Sequence, residues 1–477
     1  MNESSLAQWL FLHPLGDDDV LISTLLRQTS AGQARASAAE IAAQLRDVGV
    51  GVGDAVAVQL PNDERFIIAM FAVWLADAVF VPLNPRLPRV ERADALDATR
   101  PRALVTLDGI QSLEGARSHD PSSAFVLWTS GTTGRPKPIV HTHAAYSELI
   151  DRVLTPLRAT GSSPDARPTT PNLIPVSLAL NAGIYNVLFG LRAGAGLVIM
   201  DGFDPQQFAA LVRQHAIRST VLPPAAIGML NEAGIAGLID DLNPLRYVRS
   251  ITAPLSPLQA RRFRELFDVT VLNGYGQAEI GEVIGWTAAD ARAHPDKIGA
   301  VGRAHPGVEL RIADADEQGI GRLLVRPPSM ASGLPDDSGL GERLDDDGYL
   351  DTGDLARLDV DGFVWIEGRA GDLINRGGNK VFPEHVEEVL RLVPGVREVA
   401  VVGRRDARLG EVPVAFLVCD PEVPVSDDDM VAVCRDHLVP YKIPVEFVRV
   451  ECLPRNEIGK VLRRELVDGL DDSKGSE

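Results

Sequence analysis

At 477 residues the chain is too long for one ordinary hydrophobic core, so a large domain with a smaller companion is expected. Hydrophobic residues at 45% and charged residues at 24%, with no long low-complexity tract, describe a folded globular protein and exclude extended disorder except at the ends. With 66 Asp and Glu against 47 Lys and Arg, the formal charge of −19 repels a polyphosphate backbone over most of the surface. No nucleic-acid partner is expected, and any bound anion needs a local site.

The N-terminus carries Glu3 and no Lys or Arg before Arg27, which is not the basic opening of a secretory signal. Cys419, Cys434 and Cys452 have no metal-ligand spacing and imply no disulfide framework. Together these features point to a cytoplasmic protein. The segment SAAEIAAQLRDVGV predicts an amphipathic helix capped by Ser37 and Glu40, with Ile41, Leu45 and Val48 on one face and Gly49 as its stop. The run from Phe66 to Leu83 imitates a membrane span, but Asp77 interrupts it and Pro82 ends it. A buried helix feeding a buried parallel strand is the better reading, with no membrane span.

Short apolar runs then recur: VAVQLP, ALVTL, FVLWTS, GLVIM, STVLPP and VTVLNGYG, each ending in Gly, Pro, Ser or Asn or passing into such residues. Alternation with helices predicts an α/β fold, whose ligands gather at the carboxyl ends of strands. The loops after FVLW and after VTVLN are the richest in glycine and hydroxyls. From Ser329 to Asp351 the chain turns polar, and a hairpin is expected around Asp361-Gly362. Beyond Arg369 a helix over PEHVEEVLRLVPGV, strands EVAVVG, VPVAFLVC and EFVRV, and a helix around Asp427 to His437 suffice for a small α+β domain. The expected division is a large α/β domain over 1–369 and a small domain over 370–477, linked by Ala370-Gly371-Asp372.

The loop TSGTTGRPK, Thr129 to Lys137, carries the clearest chemistry. Its glycines let backbone N–H groups approach an anion, its hydroxyls add donors, and Lys137 adds charge. It lacks the Walker A spacing, and by composition alone a flexible turn is an equal alternative. GYGQAEIG does not keep GxGxxG spacing, so a dinucleotide site is not expected. His141 and His143 have no third ligand nearby and read as loop or helix-start residues rather than a metal site.

This loop resembles the phosphate loop of the adenylate-forming superfamily: acyl-CoA synthetases, peptide-synthetase adenylation domains and firefly luciferase. NGYGQAE (Asn273 to Glu279), GYLDTGD (Gly348 to Asp354), IEGRAGDLINRGGNKVFPEHVE (Ile366 to Glu387) and PRNEIGK (Pro454 to Lys460) match in the family's order. The resemblance implies an ATP-dependent acid–CoA ligase. ATP adenylates a small-molecule carboxylic acid with release of pyrophosphate, and the acyl group then passes to coenzyme A, with a mobile C-terminal domain serving both steps. By the same resemblance Lys460 offsets charge at the α-phosphate and Glu279 is the Mg²⁺-associated carboxylate. Thr129, Ser130, Gly131, Thr132, Thr133, Gly134 and Lys137 would hold phosphates; Asn273, Gly274, Tyr275, Gly276 and Gln277 line the nucleotide, with Tyr275 against adenine. Asp354 and Arg369 would contact the ribose and nucleotide, Gly371 is the hinge, and Arg376, Gly377, Gly378, Asn379 and Lys380 line the CoA tunnel.

The sequence departs from the family in three places. IPVSLALNAG, Ile174 to Gly183, lacks the usual aromatic residue and histidine; Ser250 to Pro254 stands where a glycine-containing turn is usual; and Ala278 replaces a threonine. Leu178, Asn181, Ala182, Ile251 and Thr252 are assigned to the acyl pocket; Leu178, Leu180, Ala182 and Ile184 suggest an apolar or aromatic acid, and the lack of an acidic residue in IPVSLALNAG disfavours an α-amino acid. The alternatives are an acyl-AMP ligase loading a carrier protein and a non-catalytic nucleotide- or acyl-binding relative. Oligomeric state is left at monomer or homodimer.

Overall fold

The run from Phe66 forms what its composition demands: helix Glu64–Leu75, buried at every residue from Phe66 to Trp74, then strand Val79–Pro82. A helix apolar all round has to lie inside a core. Trp74 donates its Nε1–H to the Ala124 carbonyl at 2.7 Å and packs edge-on against Phe71 and Phe80. Full burial of each such side chain contributes about 1.5–3 kcal/mol relative to exposure. Asp77 turns the chain between helix and strand with φ 58, a left-handed conformation that a short polar residue tolerates. Its carbonyl accepts the Gly53 N–H at 3.0 Å.

The helix expected from Ser37 begins a turn and a half earlier, at Ala31, and runs to Asp47. Ser30 and Gln33 form its capping box, so Ser37 and Glu40 lie inside it. Ala31, Ala34, Ala38, Ala42 and Leu45 make its buried stripe, with Ile41 and Val48 half-buried. Alanine and serine carry little apolar signal, which hid the first turns. Gly49, at φ 89, follows the last turn as expected.

This computed structural model describes residues 5–129, 137–158, 170–333, 339–455 and 461–472. By packing it comprises two units, Met1–Glu309 with Arg326–Leu350, and Leu310–Val325 with Asp351–Glu477. In the first, a seven-stranded sheet has Val79–Pro82, Ala55–Val58 and Ala103–Thr106 parallel at its centre, with Ser123–Thr129 parallel to Val79–Pro82. A second sheet sets Ser219–Val221, Tyr247–Ser250 and Thr270–Gln277 in parallel, then returns antiparallel through Gly281–Gly285 and Arg303–Ala304. A third pairs Val20–Ser23 and Asn172–Ile174 with Leu197–Ile199, all in parallel, and adds Gln28–Ser30 at its edge. The α/β expectation holds.

In the second unit, the hairpin Leu350–Leu358 and Val364–Arg369 closes at a turn in which Gly362 takes φ 81, as expected. Its Leu355 packs with Ile320, Phe382 and Leu373. The expected C-terminal elements form: strands Val396–Asp406, Gly410–Cys419 and Glu446–Arg449, and helices Pro383–Leu390 and Asp427–His437. Ala370–Asp372 is a single 3₁₀ turn, and all three cysteines are free thiols. No described helix is long and apolar enough to cross a membrane.

Candidate active site

The strand Thr270–Gln277, central in its sheet, ends in the NGYGQ stretch and turns back into Gly281–Gly285, with Gly276 opposite Glu282 and Gln277 opposite Gly281. The return is too tight for side chains. A β-carbon on Gly276 would lie 1.9 Å from the Gly281 carbonyl oxygen, and one on Gly281 would lie 2.1 Å from Leu149. Asn273 is buried and accepts its neighbour's N–H from Gly274; Tyr275 is half-buried, and its hydroxyl accepts the Gln277 amide at 3.3 Å.

Glu279 sits in the turn, 8% exposed. Its Oε1 accepts Arg343 Nη1 at 2.9 Å, and Arg343 Nη2 also reaches Gln277 Oε1 at 2.7 Å. A carboxylate already facing a cation, with hard oxygen donors, suits a magnesium ion shared with phosphates. His141 Nε2 bonds the Ala278 carbonyl at 2.8 Å, fixing the turn from behind. Burial pushes the His141 imidazole down to about 4, so it is neutral and donates through Nε2. Arg152, buried and paired with Glu148, reaches the Ile280 and Ser329 carbonyls at 3.4 Å. His141 is thus a structural anchor, and His143 accepts the Leu6 N–H at the start of its helix.

Thr129 ends one strand and Lys137 starts the next, and the two are in direct register. Ser130, Gly131, Thr132, Thr133 and Gly134 lie outside the described residues, as does Lys460. The IPVSLALNAG segment is stapled by Asn62, whose Oδ1 accepts Leu178 N–H at 2.6 Å while its amide donates to Met200 and Val176 carbonyls. Leu178 is buried; Asn181 and Ala182 are half-buried, and Asn181 accepts the Tyr146 hydroxyl at 2.9 Å. Thr252 takes φ 85, the left-handed conformation that a glycine would adopt freely, and is exposed beside half-buried Ile251.

In the second unit, Asp354 and Arg369 face each other across the hairpin, with Arg369 Nε 2.7 Å from the Asp354 carboxylate and Asp354 only 4% exposed. Gly377 and Gly378, both at positive φ, form the two-residue turn between strands Ile374–Arg376 and Asn379–Val381. Arg376 donates to the Tyr441 and Ile443 carbonyls, Asn379 to the Arg376 carbonyl, and Lys380 pairs with Asp316 at 2.8 Å. Arg376 thus braces the turn. Gly371 is exposed, with open space around its α-carbon.

Arg343 and His141 were not assigned to the site from sequence, and Arg343, in a polar stretch, gives no signal there. A second buried group was also missed. Arg249 and His305 both bond Glu282 Oε1, His305 at 3.1 Å. Burial would raise the Glu282 carboxyl, but Arg249 and His305 outweigh it and hold it below the ordinary carboxylate range. The signal was available: a glutamate inside the apolar run IGEVIGW requires a partner.

The model of the AMP-binding enzymes matches residues 15–123 and 111–334, and that of the AMP-binding enzyme C-terminal domain matches 385–460. The chain is 28% identical to the long-chain-fatty-acid–CoA ligase FadD13 of Mycobacterium tuberculosis, over 92% of this chain and 93% of that one. It is 29% identical to 4-coumarate–CoA ligase 3 of Oryza sativa subsp. japonica, over 89% and 84%. In fold it matches ATP-bound MatB from Rhodopseudomonas palustris with a TM-score of 0.84 at 24% identity, over 98% and 99% of the two chains.

Proposed function

Because this chain belongs to the AMP-binding enzymes of the adenylate-forming superfamily, we propose that it is an ATP-dependent acid–CoA ligase for an apolar or aromatic carboxylic acid. The observation that carries the reading is Glu279, a buried carboxylate held against a cation in the tight NGYGQAE turn. In the first half-reaction a carboxylate oxygen attacks the α-phosphorus of ATP and the bond to pyrophosphate breaks. In the second, the thiol sulfur of coenzyme A attacks the acyl carbon, AMP departs and the thiol proton is released.

Magnesium would bind Glu279 and the phosphates and neutralise their charge. Asp354 would accept ribose hydroxyls, its geometry set by Arg369. The Thr129 to Lys137 loop would hold phosphates, and Lys460 would offset charge as the carboxylate attacks. We assign motion between the half-reactions to 370–477, turning at Ala370–Asp372, with the Arg376 to Lys380 turn lining the path of CoA. The apolar or aromatic choice is supported by Leu178 and by Ile251, and by relatives named for fatty and coumaric acids.

The deciding experiment supplies ATP, Mg²⁺, CoA and a panel of carboxylic acids and measures AMP and thioester. AMP with thioester is expected; ADP in place of AMP overturns the reading, and AMP without thioester moves the acceptor to a carrier protein. Lys460→Ala is expected to lower pyrophosphate exchange by about 10²–10³-fold while circular dichroism stays unchanged.

A further inference from the structure

Arg463 follows Lys460 by three residues and opens the helix Arg463–Asp472. Its guanidinium meets three carboxylates. Nη2 donates to Glu387 Oε1 at 2.8 Å and to Glu384 Oε1 at 3.3 Å, both on helix Pro383–Leu390. Nε lies 3.7 Å from Asp372 Oδ2, at the end of the Ala370–Asp372 turn. Glu387 is buried and also accepts the Val401 N–H at 2.9 Å, which ties the helix to strand Val396–Asp406. Glu384 Oε2 is buried without a hydrogen-bond partner, and among the described residues Arg463 is the one cation paired with Glu384.

The residues on either side of the segment 456–460 are joined to each other. Arg455 and Val461 pair as an antiparallel bridge, the Leu462 N–H donates to the Pro454 carbonyl at 2.8 Å, and Arg455 pairs with Glu398. Beneath them Leu453, Leu466 and Leu470 pack with Ala400, Val402, Val414 and Phe416. Lys460 is bonded directly to Val461, so this closure limits where its backbone can lie. Apolar packing seats the closure on the sheet but does not reach the turn assigned as the pivot. The ion pair from Arg463 to Asp372 does.

Resting on the assignment of Lys460 to adenylation, we propose that Arg463 is a positioning residue for that half-reaction. It locks the pivot turn, helix Pro383–Leu390 and the base of the Lys460 segment into one body, so that turning at Ala370–Asp372 delivers Lys460 to a fixed place. Arg463 touches no reacting atom. An arginine suits the task because its planar fork binds carboxylates from several directions at once, whereas a lysine keeps the charge and loses the fork. The demand falls on the half-reaction that uses Lys460. Attack of a thiol on an acyl adenylate already formed does not share it.

The test compares Arg463→Met, Arg463→Lys and Asp372→Asn with the parent protein in two assays: ATP–pyrophosphate exchange with an accepted acid, and thioester formation from synthetic acyl adenylate and CoA. Arg463→Met should lower kcat for exchange by about 10- to 100-fold, the cost of a small misplacement of a catalytic group, with the KM for ATP and the thioester rate within about twofold of the parent. Arg463→Lys should recover part of the loss. Asp372→Asn changes a carboxylate that is 38% exposed, so it should keep the stability of the parent and lower exchange alone, by about two- to fivefold. It therefore decides the matter if Arg463→Met does not fold. Equal losses in both half-reactions, or exchange unaltered in Asp372→Asn, overturn the proposal and leave adenylation standing. A Lys460→Ala variant that exchanges pyrophosphate normally overturns the assignment of Lys460 and this inference with it.

Discussion

Glu279 and Glu282 are three residues apart, both buried, and each is held by an arginine, yet the two arrangements differ in kind. Arg343 comes from a polar segment, keeps 34% of its side chain exposed, and divides its donors between Glu279 and Gln277. Arg249 comes from the next strand but one of the same sheet, is 11% exposed, and shares Glu282 with His305. A partner at the surface can be exchanged for another cation at small cost. A partner fixed inside a sheet leaves a bare buried charge when it is removed. The difference shows how one hairpin can carry both an exchangeable ion pair and a rigid buried one.

The largest expected effect breaks the rigid half. Arg249→Ala strands Glu282 and should destabilise the protein by about 3–5 kcal/mol in urea unfolding, whereas Arg343→Ala should cost less than about 1 kcal/mol. Similar losses for the two variants would erase the distinction.

Acid separates the two sides by pH. Burial holds His141, behind the Glu279 turn, down to about 4 against 6.5, and His143 likewise. Between those values the unfolded chain binds protons that the folded chain refuses. Stability is therefore full above pH 6.5 and declines toward pH 4, by up to about 1.4 kcal/mol per pH unit for each histidine. His141→Gln should remove one of these shares in thermal unfolding across that range. Glu282, with its folded value depressed, contributes fully above about pH 4.3, the unfolded carboxylate value. That contribution is lost only as pH falls further, through the folded value. Stability independent of pH between 6.5 and 4 would contradict the first window.

A smaller effect sharpens the replaceable half. If Arg343 holds the position that magnesium takes, Arg343→Ala should lower the Mg²⁺ concentration for half-maximal pyrophosphate exchange, by about threefold on the strength of one partly exposed pair. An unchanged or higher Mg²⁺ requirement would assign Arg343 to shaping the turn alone. The smallest effect concerns the turn beside Glu282: Thr252→Gly releases a β-branched residue from φ 85 and should raise stability by up to about 1 kcal/mol. A fall in melting temperature would mean that the hydroxyl or methyl of Thr252 makes up for the strain.

Much of the architecture was legible because apolar runs of strand length announce themselves. Phe66 to Leu83 gave helix then strand, and the hairpin at Asp361-Gly362 and the C-terminal elements fell where expected. The helix at Ala31 was placed late because its buried stripe is largely alanine. Within the site, Asp354 and Arg369 had been picked separately by motif, and strand register makes them a pair. Arg376 and Lys380, read as cations facing CoA, also serve the fold, on carbonyls and on Asp316. Glu282 was passed over although its apolar setting called for explanation.

Order along the chain and residue chemistry were enough to define the family and the α/β class, because those depend on local pattern and spacing. Only the folded chain decided that Arg249 and His305 meet Glu282, and that Arg343 meets Glu279. Such pairings join residues tens of positions apart. Strand register and helix packing set them, and no window of sequence contains both partners.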